Sequence, residues 1–128
     1  MDLLVDTHAL IWWWTEDERL STSAADAIAD SANRVLVSAA SAWEVATKER
    51  IGKLGDLTGL SSRFGELVAQ HGFIHMPINH AHAVRAGSHQ AAHRDPFDRM
   101  LAAQTELDRL TLVTKDRVFD SFGVSTLW

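Results

Sequence analysis

The chain has no cysteine, which excludes a disulfide framework and any zinc–thiolate site. It also has little uninterrupted apolar sequence. The longest aliphatic-aromatic run, Ala9 to Trp14, falls far short of the roughly 20 residues that cross a bilayer. Met1-Asp2 is followed by no basic region, so a signal peptide is not expected. There is no internal repeat, no low-complexity segment and no linker. Together these absences point to a soluble protein of the reducing cytoplasm. The 128 residues, 46% of them apolar, suffice for one domain over residues 1–128 whose core needs no covalent staple. The formal net charge of −5 argues against a chain that coats nucleic acid electrostatically. A cluster of metal-binding carboxylates would give the same balance, so the placement of the acids decides.

Short apolar runs alternate with helical patterns. Strands are predicted at Leu3–Val5, Val35–Val37, Phe73–Met76, Leu112–Thr114 and Val124–Trp128. Helices are predicted over Thr7–Trp14, Ser21–Ala32, Phe64–Gln70, Ala81–Gly87 and Pro96–Leu110. A further helix is opened by Ser38 or Ser41 and closed by Gly52 and Gly55. Gly72 is a helix stop, and Pro96 suits a first helical turn, where its missing N–H has no partner to lose. Buried strands separated by helices imply a parallel sheet covered on both faces. The expected fold is therefore α/β, a three-layer α/β/α sandwich around a central, mostly parallel five-stranded sheet.

In such a sheet, sites form beyond the carboxyl ends of the strands, where the strand order reverses. Asp6 directly follows the first strand, and Asp116 lies two residues beyond the fourth. Glu44 stands early in the helix after the second strand, and Asp98 in the first turn of the helix before the fourth. Each also has an ordinary reading. Asp98 would favour a helix amino-terminus through the macrodipole, Glu44 would serve as a solvated helix residue, and Asp116 as part of a turn. Asp95, just before Pro96, reads as the helix cap, which leaves Asp98 as the candidate ligand. Asp6 is harder to dismiss, because an acid directly after a buried strand has few structural tasks. Four carboxylates on one rim repel one another unless a cation intervenes. Oxygen-only ligation suits a hard ion, Mg²⁺ or as a substitute Mn²⁺. Two such ions about 4 Å apart can activate water and stabilise the leaving oxygen of a phosphodiester.

The stretches "LLVDTHALIWW", "SAASAWEVATKERIGKL", "HRDPFDRMLAAQT" and "LVTKD", together with the closing "VSTLW", resemble the PIN-domain ribonucleases, specifically the VapC-type toxins of bacterial toxin–antitoxin pairs. The resemblance runs from Leu3 to Trp128. It implies the sandwich fold, Mg²⁺-dependent endonucleolytic cleavage of RNA, and an acidic quartet at Asp6, Glu44, Asp98 and Asp116 with the Thr114 hydroxyl nearby. The metal would be held chiefly through Asp6 and Asp98, and Thr7 and Thr114 would be supporting hydroxyls. The resemblance also implies a cognate antitoxin made alongside, a homodimer, and tRNA or ribosomal RNA as substrate. A housekeeping PIN-type RNA-processing nuclease, or a PIN-like binding module without activity, is the alternative.

Lys48, one helical turn from Glu44, is the leading candidate for a phosphate contact, with Arg99 and Thr7 as further substrate contacts. Lys53, Arg50, Arg94, Lys115 and Arg117 flank the acids as well. The seven histidines show no tight ligand spacing, so no structural zinc is expected, and His8 is read as a neighbour of the site rather than a ligand. Trp12-Trp13-Trp14 cannot all face one core, since successive helical residues point about 100° apart. Trp13 or Trp14 is therefore expected at a partner surface. Two other phosphate chemistries fit poorly. A receiver domain needs an acid after the third strand, where Met76-Pro77 stands, and a haloacid-dehalogenase-like phosphatase needs Asp-x-Asp, where position 8 is His8.

Overall fold

A computed structural model describes residues 1–128. The strands are β1 (Asp2–Val5), β2 (Arg34–Ser38), β3 (Ile74–Met76), β4 (Thr111–Val113) and β5 (Thr126–Leu127). The helices are α1 (Thr7–Trp14), α2 (Thr22–Ala29), α3 (Ala39–Arg50), α4 (Leu60–Gln70), α5 (His80–Ser88) and α6 (Pro96–Leu107), with short 3₁₀ segments at Gly55–Leu57 and Arg117–Phe122. The sheet order is β3-β2-β1-β4-β5 and every pairing is parallel. The chain thus builds outward from β1 through β2 to β3, then crosses back to place β4 and β5 on its other side. That reversal opens a crevice beyond the carboxyl ends of β1 and β4.

The short strands bury both faces, which is why they read as continuous apolar runs. Leu3 and Val5 point to one side with Val35, Val37 and Val113, where Leu10, Val45, Phe64 and Val68 cover them. Leu4, Leu36 and Leu112 point to the other, under Leu101, Met76, Phe119 and Phe122. Leu3, Leu4, Leu10 and Leu112 are wholly inaccessible to water, and each contributes about 1.5–3 kcal/mol of apolar burial. No helix is long and apolar enough to cross a membrane.

The structure departs from the sequence reading chiefly at boundaries. Helix α2 ends at Ala29 rather than Ala32, because Asp30 turns out of helical geometry and its carboxylate accepts the Ala32 N–H. Helix α4 starts at Leu60 rather than Phe64, behind a left-handed Gly59. Helix α6 stops at Leu107, and Arg109 adopts φ +54° to turn the chain into β4. The expected last strand shrinks to two residues. Before it, the unforeseen 3₁₀ turn Arg117–Phe122 drives Phe119 and Phe122 into the core.

Candidate active site

Asp6 leaves β1 and caps α1. Its Oδ1 accepts the Ala9 N–H at 2.8 Å, while Oδ2 accepts the Thr114 hydroxyl at 2.5 Å, across 108 residues of sequence. Thr114 follows β4, so the adjacency of β1 and β4 makes this bond possible. Both carboxylate oxygens are thus fixed, yet the Asp6 pKa is still raised above its ordinary 3.8. Burial is the largest cause and the nearby Glu44 charge adds to it, outweighing Thr114, Ala9 and His8, which all pull it down. Asp116 extends the chain of contacts by donating its N–H to the Thr114 hydroxyl at 3.0 Å. Its own carboxylate is exposed and caps the 3₁₀ turn through the Val118 N–H.

Glu44 is carried by α3, whose amino-terminus is capped by Ser38 at the end of β2. It is buried, and Lys48 one turn on donates to it at 2.6 Å. Asp98 lies in the first turn of α6, where Asp95 caps the Phe97 and Asp98 N–H groups and Pro96 opens the helix. Its carboxylate is paired with His93 Nε2 at 2.8 Å. Burial pushes Asp98 up to about 6, the charges of Asp95 and Glu44 push the same way, and His93 opposes them. Glu44 therefore stands electrically between Asp6 and Asp98 and raises both. Helices α3 and α6 are held together behind the acids by the fully buried Gln104. It accepts from Ser38 at 2.5 Å and donates to the Pro77 carbonyl at 3.2 Å.

Beside Asp6 opens a cleft of about 670 Å³, into which Thr7, Lys48, Lys53, Lys115 and Asp116 also face. Glu44 and Asp98 do not line it, and Glu44 acts by its charge on both Asp6 and Asp98. Of the sequence-predicted residues, Asp6, Thr7, Lys48 and Asp116 thus line one cleft, with the buried Thr114 bonded to Asp6, Glu44 paired with Lys48, and Asp98 under the charge of Glu44. Thr7 is buried, and its hydroxyl proton goes to Ser41 Oγ at 3.0 Å.

Arg99 is a correction. Instead of facing a phosphate, its guanidinium donates to the carbonyls of Ala86, His89, Ala91 and His93 at 2.6–2.8 Å. It binds down the loop before α6 and so positions His93 against Asp98. Sequence reasoning missed His93, since a histidine five residues from an acid on a loop follows no ligand spacing. Trp13 and Trp14 also differ from expectation. Both are only partly exposed and are packed within the chain, Trp13 against His71 and Phe73 and Trp14 against Phe64. The open aromatic is Trp43, 52% exposed and edge-on to Phe97 at 4.5 Å, beside Glu44.

No three acidic or histidine side chains converge closely enough to form a cage around a metal. That suits a hydrated hard cation, because Mg²⁺ keeps several waters and takes only one or two protein carboxylates. Asp6 and Asp98 fit such an ion. Both are oxygen donors whose pKa is raised, first by burial and then in part by the charge of Glu44, and a cation would offset both effects.

No curated protein sequence matches the chain. Solved structures do. FitAcB from Neisseria gonorrhoeae aligns over 98% of this chain and 96% of that one, at 19% identity and a TM-score of 0.62. VapBC2 from Rickettsia felis, bound to a DNA fragment from their promoter, aligns over 99% and 98%, at 12% identity and a TM-score of 0.65. FitAB bound to an IR36 DNA fragment aligns over 98% and 93%, at 20% identity and a TM-score of 0.62. At these identities the likeness speaks for the fold. The family is carried by the sequence itself, whose residues 3–124 match the PIN domain. With a profile match over nearly its whole length and the acids set where β1 and β4 end, the chain belongs to the PIN domain family.

Proposed function

We propose that this chain is a Mg²⁺-dependent endoribonuclease of the VapC kind, the toxin of a toxin–antitoxin pair. The observation that carries the reading is the buried Asp6 and the half-buried Asp98, each raised in pKa chiefly by desolvation and each acted on by the charge of Glu44, near the reversal point of the sheet. Protein interiors do not hold repelling acids without a compensating task.

Asp6 and Asp98, with Glu44 and Asp116 beside them, would hold a divalent cation, which would supply Lewis acidity at the phosphate and lower the pKa of water. The chain's own groups do the rest. The Ala9 N–H and the Thr114 hydroxyl lock the Asp6 carboxylate in one orientation, so its lone pairs need no reorganisation. His93 does the same for Asp98, on a loop that Arg99 holds in shape. Lys48 balances Glu44 and stands at the cleft, where its ammonium meets the charge of the scissile phosphate. Hydrolysis then adds water across one P–O bond and splits the strand. That VapBC2 and FitAB were solved on DNA supports a partner antitoxin for this chain, encoded alongside it. A homodimer, and tRNA or ribosomal RNA as the strand cut, complete the reading.

Purified protein incubated with RNA in Mg²⁺ is expected to cut it, EDTA to stop the cutting, and Asp6→Ala or Asp98→Ala to abolish it while the far-ultraviolet circular dichroism stays native. An Asp6→Ala protein cutting at the wild-type rate would remove Asp6 from the site. A wild type that cuts RNA yet leaves growth unaffected on expression alone, with no neighbouring gene product binding it, is a housekeeping nuclease instead.

A further inference from the structure

The cleft beside Asp6 is lined by more cationic than acidic side chains. In a chain of net charge −5, four cations, Arg19, Lys48, Lys53 and Lys115, face into it against two acids, Asp6 and Asp116. Two of the four are already engaged. Lys48 is paired with Glu44, and Arg19 grips Asp17 through two hydrogen bonds while lying 5.1 Å over the Trp12 ring. Lys53 and Lys115 are exposed and take part in no ion pair.

The position of Lys53 is built rather than incidental. Helix α3 ends in a left-handed Gly52 at φ +75°, with the Gly52 N–H on the Glu49 carbonyl and the Lys53 N–H on the Lys48 carbonyl at 2.8 Å. This is the Schellman arrangement, which folds the residue after the glycine back toward the one five positions earlier. It sets Lys53 beside Lys48 at one wall of the cleft. Lys115 stands on another wall, between Thr114 and Asp116 in the loop after β4. Two ammonium groups that take part in no ion pair thus line the same cleft as Asp6, and such groups contact the phosphates of a polynucleotide. The volume, about 670 Å³, lies within the roughly 300–1,000 Å³ of sites that take drug-sized molecules.

We infer that this cleft is a phosphodiester subsite, in which Lys53 and Lys115 hold the backbone of a single-stranded nucleic acid beside the phosphate presented to Asp6. The inference rests on the nuclease reading for its choice of strand, but binding and cutting are separable. Lysine contacts to phosphate position a strand without reading its sequence. They release counterions, so each lysine lost lowers the slope of log Kd against log salt by about 0.7 for a single strand.

The test uses the full chain and a short, fluorescently labelled single-stranded RNA of mixed sequence, titrated by anisotropy in EDTA, where nothing is cut, over a range of KCl concentrations. The variants are Lys53→Ala, Lys115→Ala, the double replacement and Lys53→Arg. Both lysines are exposed, and a thermal melt confirms that each variant is folded. The expected result is weaker binding for each alanine variant, a slope lower by about 0.7 in each and by about 1.4 in the double replacement, and restoration by arginine. Unchanged slopes in both alanine variants overturn the inference, whether or not the wild type cuts RNA. It is equally overturned if the wild type fails to bind RNA, or if the lysines govern binding of a protein partner and not of RNA. Lysine-dependent binding by a wild type that cuts nothing in Mg²⁺ upholds the subsite and removes the nuclease reading.

Discussion

Replacing Asp98 with asparagine stabilises the metal-free protein near neutral pH. The folded state takes up the Asp98 proton more readily than the unfolded chain, with a pKa of about 6 against an ordinary 3.8. Its contribution therefore favours the fold fully below about pH 4 and is lost as pH rises through 6. At 1.36 kcal/mol per pKa unit, the difference amounts to about 3 kcal/mol as an upper bound. The side chain is 21% exposed and only partly desolvated, so solvent screening reduces this to about half. The helix amino-terminus favours the ionised form by about 0.3–1 kcal/mol, which bounds the figure from the other side. Burial and the charges of Asp95 and Glu44 win, leaving about 1–2 kcal/mol. For a domain of this size that is about 4–8 °C in Tm. Thermal melts of both proteins in EDTA from pH 4 to 8 should show curves that nearly coincide at pH 4 and diverge above pH 6, with Asp98→Asn the more stable. Added Mg²⁺ should raise the wild-type Tm and do little for the variant. A variant less stable at pH 8, or a gap that does not change with pH, would refute the assignment of repulsion at Asp98.

Two further substitutions separate structural from chemical roles. Asp95→Asn should leave RNA cleavage nearly intact, since asparagine caps as well as aspartate, whereas Asp95→Ala should lower stability by about 1 kcal/mol in urea titration; a loss of cleavage in Asp95→Asn equal to that in Asp98→Asn would make Asp95 a catalytic acid. Thr114→Val removes a hydrogen bond that lowers the Asp6 pKa, so the acid limb of the pH–rate profile should move to higher pH, with Thr114→Ser restoring it; a profile that falls in amplitude without moving would show that the hydroxyl acts elsewhere than on Asp6.

The sequence determined the elements and their ends where a local rule governs them. Leu3-Leu4-Val5 and Val35-Leu36-Val37 could only be strands buried on both faces, and Asp95-Pro96 reads as a cap because the cap and the helix it closes are neighbours in the chain. An acid at the end of β1 was legible for the same reason. What lay beyond reach was anything fixed by which strand lies next to which. The Asp6–Thr114 bond spans 108 residues and exists because β4 returns to the side of β1 that β2 left free. Periodicity carries no trace of that choice, which is made by helices competing to cover the two faces of the sheet. The same packing sets Glu44 against both Asp6 and Asp98, turns Arg99 inward onto four carbonyls, and brings His93 to Asp98. A side chain's type can be read from sequence, but its charge state and its partner depend on what the tertiary fold places within a few ångströms of it.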